Sequence, residues 1–380
     1  MPYITINVEP RSYQLTFEDI LNGCDERLFT PQKDTRDTRT WFTEKINEKF
    51  LLKIDLVGMY NALVVFNEKY KKLINTKDKS SLYYSFKIPK RSGGLRQIDA
   101  PNDELMIALR DLKDILERKF FASYHTTAFA YIRGRSTIDS VKRHQQNNSR
   151  WFLKLDFSKF FPSTTPDFLL KMLTLTFPFS EFVKEKKCLD ELTKSLSLCF
   201  LNGGLPQGTP TSPILTNMMM IPIDHAISKM CHEHAPHLRY TRYADDILIS
   251  SQYNFKWNEV QNEIISILER FKAPFQLNKK KTRYGSSAGR NWNLGVMLNK
   301  DNKITVGHAK KKIFKAMLFQ FMTDDKSGNT WSVEDTQHLL GLISYYKMVE
   351  GESIDAIIKT YSEKFNKDVI ETAKAVLSAI

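Results

Sequence analysis

The chain has 380 residues, of which 42% are hydrophobic and 26% charged, so it can bury a large core and is long enough for two or three domains. Its 56 basic and 43 acidic residues leave a net charge of +13, which favours a polyanionic partner, nucleic acid before an anionic membrane. Its four cysteines are widely spaced and no apolar run reaches about 18 residues, which argues against a disulfide framework and a membrane helix.

The first part of the chain, residues 1–85, is predicted to be an N-terminal helical extension. Leu56, Tyr60 and Leu63 recur there at helical spacing. Residues 1–13 carry charges and no apolar stretch, so no signal peptide is expected and the protein is expected to be cytoplasmic. The residue types in this part of the chain indicate no chemistry.

A β-hairpin is predicted next, with strands over 86–88 and 95–99 on either side of the basic, glycine-containing turn 89–94. The pattern then predicts a helix over 104–121 and an apolar strand over 151–156. That strand ends in a carboxylate, which is the first sign of a functional site.

The middle of the chain alternates between helical and strand patterns. Helices are predicted after Pro166 and over 186–200, 212–230 and 257–271, and strands over 238–243 and 247–251. This order predicts an α+β domain, a sheet with helices on one face. A second hairpin over 294–298 and 303–306 follows, and helices from residue 308 onward are interrupted at 324–329.

Three acidic residues stand at the ends of predicted strands. Asp156 closes one strand, and Asp245 and Asp246 occupy the tight turn between two others. If these strands are neighbours, the three carboxylates converge at one sheet edge, which is electrostatically costly without cations and suits Mg²⁺. A strand-end aspartate is usually only a turn residue, so the acids become informative through the motifs around them.

Those motifs resemble, in order, the conserved motifs of reverse transcriptases. They are the fingers hairpin 88–96 (IPKRSGGLR), the first palm motif 153–163 (LKLDFSKFFPS), the loop 204–213 (GLPQGTPTSP), the box 243–246 (YADD), and 278–283 (NKKKTR) with 294–295 (LG). The resemblance implies an α+β right-hand polymerase fold, with fingers and palm over 86–300 and an α-helical thumb over 301–380. It implies a reverse transcriptase that copies an RNA template into DNA from dNTPs.

The resemblance also implies a two-metal site. Asp156 and Asp245 are expected to hold two Mg²⁺ ions, with Mn²⁺ as an alternative, and Asp246 is expected to support them. The backbone of Phe157 is expected to face the metals and the triphosphate. Lys281 is the candidate proton donor to pyrophosphate, although a solvated run of lysines is an equally good interpretation of its surroundings.

The expected nucleotide contacts lie on three segments. Lys90 and Arg96 are expected to reach the phosphates of the incoming nucleotide, unless they belong to an ordinary basic hairpin. Gln207 is expected beside the nucleotide, on a loop whose glycines, Gly208 among them, let the backbone approach closely. Phe161 lies where the family places an aromatic ring under the sugar, which would collide with a 2′-hydroxyl and favour deoxynucleotides.

Two other segments have weaker interpretations. Residues 231–234 (CHEH) and His237 suggest zinc, but no second cysteine pair or histidine cluster has metal-site spacing, so a polar helix end is the better interpretation. The lysines between Lys310 and Lys315 precede apolar residues at helical spacing. They indicate either a helix that contacts a phosphate backbone or an amphipathic thumb helix.

The chain resembles the compact bacterial reverse transcriptases, which include retron enzymes and relatives in antiphage defence. Only His144 fits the retron element before the first palm motif, and only Gly295 fits the later Val-Thr-Gly. A defence-associated enzyme copying a dedicated, structured non-coding RNA is the first prediction. A divergent retron enzyme making RNA-linked single-stranded DNA is the second, and a catalytically idle RNA-binding scaffold is a third. No membrane partner is expected, and the oligomeric state stays open.

Overall fold

The computed structural model describes residues 4–8, 11–15, 55–89, 93–120, 123–234, 237–287, 292 and 295–378, with side chains from residue 55 onward. Its strands are β1 Ile4–Val8, β2 Arg11–Leu15, β3 Tyr83–Pro89, β4 Leu95–Pro101, β5 Trp151–Ser158, β6 Arg239–Tyr243, β7 Asp246–Ser251, β8 Gln276–Leu277, β9 Arg283–Ser286, β10 Met297–Leu298 and β11 Ile304–Thr305. Its helices are α1 Leu56–Lys69, α2 Lys71–Ile74, α3 Asp103–Arg118, α4 Thr137–Gln146, α5 Phe160–Ser163, α6 Pro166–Thr174, α7 Phe179–Phe182, α8 Lys186–Leu196, α9 Ser212–Met219, α10 Ile221–Glu233, α11 Trp257–Phe271, α12 His308–Lys326, α13 Val333–Phe365 and α14 Val369–Ser378.

The central sheet is antiparallel and has the order β6-β7-β5, with β8 and β9 both pairing along the other edge of β5. Its register places Asp156 opposite Asp246 and Leu155 opposite Ile247. Because side chains alternate along a strand, each strand presents one set of residues to either face of the sheet. The register thus brings the two strand-end acids to the same edge and the same face.

The two faces of this sheet pack against different cores. Leu153, Leu155 and Ile249 belong to the larger hydrophobic core, which is completed by helices α1, α3, α6 and α8 to α11. Phe152 and Leu248, on the opposite face, belong to a second core formed with α4 and the C-terminal helices. Asp156 lies on the same face as Phe152, and the acidic residues therefore lie away from the larger core.

Most predicted elements are present, and the exceptions have local causes. The helix predicted over 212–230 is two helices, α9 and α10, which meet at Met220. Pro222 stands in the first turn of α10, where its missing N–H is tolerated, but it could not continue a single helix. The helix predicted over 186–200 ends at Leu196 and continues as a 3₁₀ turn.

The N-terminal part is not purely helical, because β1 pairs antiparallel with β2 in register Ile4↔Leu15. The alternation of β-branched residues Ile4, Ile6 and Val8 is a strand pattern. In the described part of the chain no helix has the length and apolarity to cross a membrane. Cys188, Cys199 and Cys231 are buried free thiols.

Candidate active site

Two neighbouring strands, β5 and β7, and the turn that precedes β7 assemble the acidic site. Asp156, on β5, is 4% exposed and stands opposite Asp246, the first residue of β7. The turn from β6 to β7 consists of Ala244 and Asp245, and Ala244 has a φ of 57°, in the left-handed region. The backbone N–H of Phe157 donates to the carbonyl of Asp245 at 3.0 Å, which fixes the turn against β5.

The acids are close enough to perturb one another. Burial, and next to it the charge of Asp156, raises the pKa of Asp245. Burial also raises the pKa of Asp156, although its hydrogen bond to Lys281 opposes the rise. One oxygen of Asp156, Oδ1, is buried without a hydrogen-bond partner. A cluster with these properties is destabilised as long as no cation balances it.

Two lysines partly neutralise the acids. Lys281 Nζ donates to Asp156 Oδ2 at 2.9 Å, and Lys154 Nζ donates to Asp246 Oδ2 at 3.0 Å. Burial lowers the pKa of Lys281, but the hydrogen bond to Asp156 and the surrounding negative charges outweigh it, so the pKa is raised. The sequence prediction did not include Lys154, whose position two residues before Asp156 places it on the same face of the strand.

The three predicted carboxylates do not form one closed group of ligands. Within the residues that the structure describes, no three or more His, Cys, Asp or Glu side chains are grouped to hold a metal ion by themselves. Asp246 is turned to Lys154, whereas Asp156 keeps one buried oxygen, Oδ1, without a hydrogen-bond partner. The expected roles of Asp156 and Asp245 as metal ligands and of Asp246 as their support stay predictions, and the structure adds that Asp246 is paired with Lys154.

The loop predicted to flank the nucleotide packs against the segment that follows Asp156. Phe161, in α5, is 9% exposed, and its carbonyl accepts a hydrogen bond from Leu205 N–H at 3.1 Å. A Cβ on Gly204 would lie 2.0 Å from the carbonyl oxygen of Pro162, so only glycine fits there. These contacts bring the predicted sugar-contacting residue and the Gln207 loop side by side.

The predicted fingers hairpin is joined to the same loop. Asp99 N–H donates to the carbonyl of Gln207 at 2.8 Å. Gly208 has a φ of 128°, and a Cβ there would lie 2.9 Å from the Asp99 carbonyl oxygen. Arg96 is exposed on β4 opposite Ile88, and Lys90 lies outside the described residues.

Comparison with known proteins shows which family this arrangement belongs to. Residues 88–324 match the family Reverse transcriptase (RNA-dependent DNA polymerase). The chain belongs to the reverse transcriptase family. It is an RNA-directed DNA polymerase with an α+β right-hand fold, which confirms the prediction from the motifs.

Its similar relatives include retron enzymes. The retron Ec83 reverse transcriptase of Escherichia coli is 31% identical, covering 76% of this chain and 89% of that protein. The retron Ec73 enzyme of Escherichia coli is 23% identical over 73% and 86%, and the retron Mx65 enzyme of Myxococcus xanthus 26% identical over 73% and 64%. A solved telomerase from Candida Tropicalis matches with a TM-score of 0.45 at 14% identity, covering 84% of this chain and 68% of that one.

The reverse transcriptase also places a residue near Asp245 that its motifs did not indicate. Tyr131 is 56% exposed and has a φ of 61°, a conformation that a bulky residue rarely adopts. Although the residue as a whole is exposed, partial desolvation of its hydroxyl raises the pKa, and the charge of Asp245 adds to the rise while Arg96 opposes it. Tyr131 therefore lies within electrostatic range of both the acidic turn and the fingers hairpin. A positive φ is not visible in a sequence, which is why it was missed.

The histidines near the end of α10 and the lysines of α12 make contacts within the protein. His237 Nδ1 contacts the carbonyl of His232 at 2.7 Å, so this ring nitrogen is engaged with the backbone of the helix end. Among the basic residues of α12, Lys310 donates to the Gly295 carbonyl at 2.7 Å, and Lys311 pairs with Glu350 at 2.6 Å. The basic helix therefore uses part of its charge inside the protein.

Proposed function

We propose that this RNA-directed DNA polymerase works through two divalent ions held between Asp156 and Asp245, with Asp246 in support. The observation that carries the proposal is the Oδ1 of Asp156, which is buried without a hydrogen-bond partner. It lies beside a second carboxylate, Asp245, whose pKa is raised by burial and by the charge of Asp156. Hard oxygen donors with open positions suit Mg²⁺, and Mn²⁺ is the expected substitute.

The residues fit such ions better as an open site than as a closed cage. Two carboxylates leave coordination positions for substrate phosphates, as is usual for Mg²⁺ in polymerases. When bound, the ions would neutralise the charge that develops on the attacking and leaving oxygens. The backbone of Phe157 is the remaining proposed contact, because the hydrogen bond from its N–H to the carbonyl of Asp245 holds this segment beside the acidic turn.

Lys281 is proposed to deliver a proton to the leaving pyrophosphate. Its ammonium group lies 2.9 Å from Asp156 and carries the proton at neutral pH, as an ordinary lysine does, and its raised pKa strengthens this protonation. The same pairing makes Lys281 a weaker acid than an ordinary lysine. Ions that neutralise Asp156 would remove part of that effect.

The nucleotide is proposed to lie between the fingers hairpin and the Gln207 loop. The hydrogen bond from Asp99 to Gln207 and the glycine-dependent approach of Gly208 to Asp99 hold these two segments together. Arg96 and Lys90 would supply cations for the phosphates, and Phe161 would lie under the sugar.

Replacing the acids tests this assignment. Asp245→Asn and Asp156→Asn are each expected to lower RNA-templated primer extension about a thousandfold, because a lost metal ligand costs about 4 kcal/mol of transition-state stabilisation. Asp190→Asn, an exposed residue of α8, is the matched control. Extension by either variant at the rate of an active wild type would refute the two-metal assignment. An inactive wild type would instead support the idle scaffold.

The template is proposed to be a dedicated, structured non-coding RNA. The net charge of +13 gives general affinity for phosphates. The retron names of the relatives favour a retron-type enzyme making RNA-linked single-stranded DNA over another defence-associated enzyme. The three described free cysteines are in keeping with the proposed cytoplasmic location.

The dedicated template is tested with the protein purified from its native host at moderate salt. Sequencing the nucleic acid that copurifies should give one dominant transcript, and DNA covalently joined to that RNA would support the retron type. A broad sample of cellular RNA, with equal extension on arbitrary primed templates, would refute a dedicated RNA.

A further inference from the structure

A buried polar network lies beneath the turn that carries Asp245. The side chains of Arg242 and Asp224 are 0% exposed. The guanidinium meets the carboxylate through two hydrogen bonds, Nε to Oδ1 at 2.8 Å and Nη2 to Oδ2 at 2.6 Å. The hydroxyl of Tyr240 donates to the same Oδ1 at 2.6 Å. Strand β6 is thus joined to helix α10 through a fully buried ion pair.

The third guanidinium nitrogen of Arg242 reaches the turn itself. Its Nη1 donates to the backbone carbonyl of Ala244 at 3.1 Å and to Oδ1 of Asn217 at 3.2 Å. Ala244 directly precedes Asp245 and has the left-handed φ of 57°, which a residue with a Cβ disfavours. Such a conformation persists only where its surroundings hold it. The hydrogen bond to the Ala244 carbonyl is one of these restraints.

Stability alone does not explain this ion pair. Removing two charges from water costs free energy that their attraction scarcely offsets, and well-packed apolar residues of similar volume are often at least as stable. The planar guanidinium, in contrast, has a geometry that a lysine cannot reproduce, because it holds a carboxylate on one edge and donates from another. The hydrogen-bond geometry of Arg242, and not a gain in stability, therefore explains why an arginine stands at this position.

The network also reaches the loop that carries Tyr131. Asn217 Nδ2 donates to the carbonyl of Ala130 at 2.8 Å, and Phe129 N–H donates to the carbonyl of Arg242 at 2.9 Å. Both bonds lie within two residues of the exposed, left-handed Tyr131. One buried group of side chains thus holds two backbone segments that border the acidic site.

We propose that Arg242 is a positioning residue of the polymerase site, which fixes the Ala244 carbonyl through Nη1 and thereby the place of the Asp245 carboxylate beside Asp156. Asp224 and Asn217 keep the guanidinium in its orientation. This inference rests on the proposed role of Asp245. Because Arg242 is fully buried, its effect on turnover passes through the turn and not through contact with substrate.

Two variants separate positioning from stability. Arg242→Lys keeps a positive charge beside Asp224 and loses the planar fork, and Arg242→Met combined with Asp224→Leu replaces the ion pair by apolar residues. Arg239→Lys, at the exposed start of the same strand, is the control. Thermal unfolding, affinity for a primed RNA template, and single-turnover extension at saturating dNTP are measured, the last as a function of Mg²⁺ concentration.

The expected result is a loss of turnover in a folded, RNA-binding protein. Both variants should lower the maximal extension rate about tenfold to a hundredfold and require more Mg²⁺ for half-maximal rate, since small misplacements of catalytic groups have effects of this size. Template affinity should change little, and Arg239→Lys should behave like the wild type.

Other outcomes overturn the proposal. Wild-type turnover and Mg²⁺ dependence in either folded variant would do so, as would an equal loss in Arg239→Lys or the failure of both variants to fold, which would make the network a stability element. The proposed function fails separately, if the wild type is inactive or if Asp245→Asn retains full activity.

Discussion

Phe161 combines the properties of a core residue with a position beside the acidic site. It packs edge-on against Phe160, with ring centroids 5.6 Å apart, and retains 9% exposure. Its carbonyl holds the loop of Gln207 through Leu205. A small exposed part of the Phe161 ring is sufficient to clash with a 2′-hydroxyl group, so its burial does not contradict the proposed contact with the sugar.

We therefore expect Phe161→Val to narrow the preference for dNTPs over rNTPs about tenfold or more, because the shorter side chain leaves room for a 2′-hydroxyl. The measurement is kcat/KM for dNTP and rNTP in the variant and the wild type. Phe275→Leu is a suitable control, since Phe275 packs against Phe160 in the same aromatic group. An unchanged ratio in Phe161→Val would show that Phe161 is only a core residue.

His144 shows how a residue chosen for one reason can have another role. In the sequence, His144 matches the histidine of the retron element that precedes the first palm motif. In the structure its ring is buried between Ser250 Oγ at 2.6 Å and Thr241 Oγ1 at 2.8 Å. Burial, with the nearby charge of Arg239, lowers its pKa from 6.5 to about 3. It is therefore neutral at physiological pH and joins α4 to the sheet.

This burial predicts a pH-dependent stability. The unfolded chain protonates His144 below pH 6.5, whereas the folded chain does not until about pH 3. The contribution of neutral His144 to the free energy of unfolding is thus fully present above pH 6.5. About 2 kcal/mol of that free energy is lost when the pH falls from 7 to 5. His144→Gln should reduce this loss of unfolding free energy, measured by urea unfolding at the two pH values. The control is His338→Gln, at an exposed position, which should leave the loss unchanged. An equally steep loss in His144→Gln would mean that other groups cause it.

At the scale of elements, local signals predicted the parts that carry the acids. The strands beside Asp245 and the helix Trp257–Phe271 follow from apolar periodicity and are present as predicted. Helix α4 was missed because only Ile138 and Val141 among its residues are aliphatic and buried. Its real signal was the capping box of Ser136 and Asp139.

Elements that depend on distant partners could not be predicted from local patterns. Strand β8 has two residues and exists because it pairs with Phe157 and Ser158. Helix α13 contains non-helical backbone at Glu350, whose carboxylate accepts hydrogen bonds from Thr305 and the backbone N–H of Val306. The same restriction applies to the acidic site. The sequence motifs identified the aspartates, but they did not predict that Lys154 and Lys281 pair with them.

At the scale of the whole molecule, the charge surplus is distributed less simply than the run of lysines in α12 suggests. Lys310 hydrogen-bonds to the Gly295 carbonyl and Lys311 forms an ion pair with Glu350, whereas Lys312 and Lys315 are exposed. Exposed cations are the ones that can displace counterions from a nucleic acid. The structure thereby narrows the proposed RNA contact on this helix to Lys312 and Lys315.

Removing these two charges should weaken RNA binding and make it less sensitive to salt. Each phosphate contact contributes about 0.7 to 0.9 to the slope of log affinity against log salt, so Lys312→Gln with Lys315→Gln should reduce the slope by about 1.5. The measurement is the Kd for a primed RNA at several salt concentrations. Lys359→Gln with Lys374→Gln removes the same charge from exposed positions elsewhere on the C-terminal helices. Equal slopes for the two double variants would mean that only the total charge matters and that α12 does not contact the RNA.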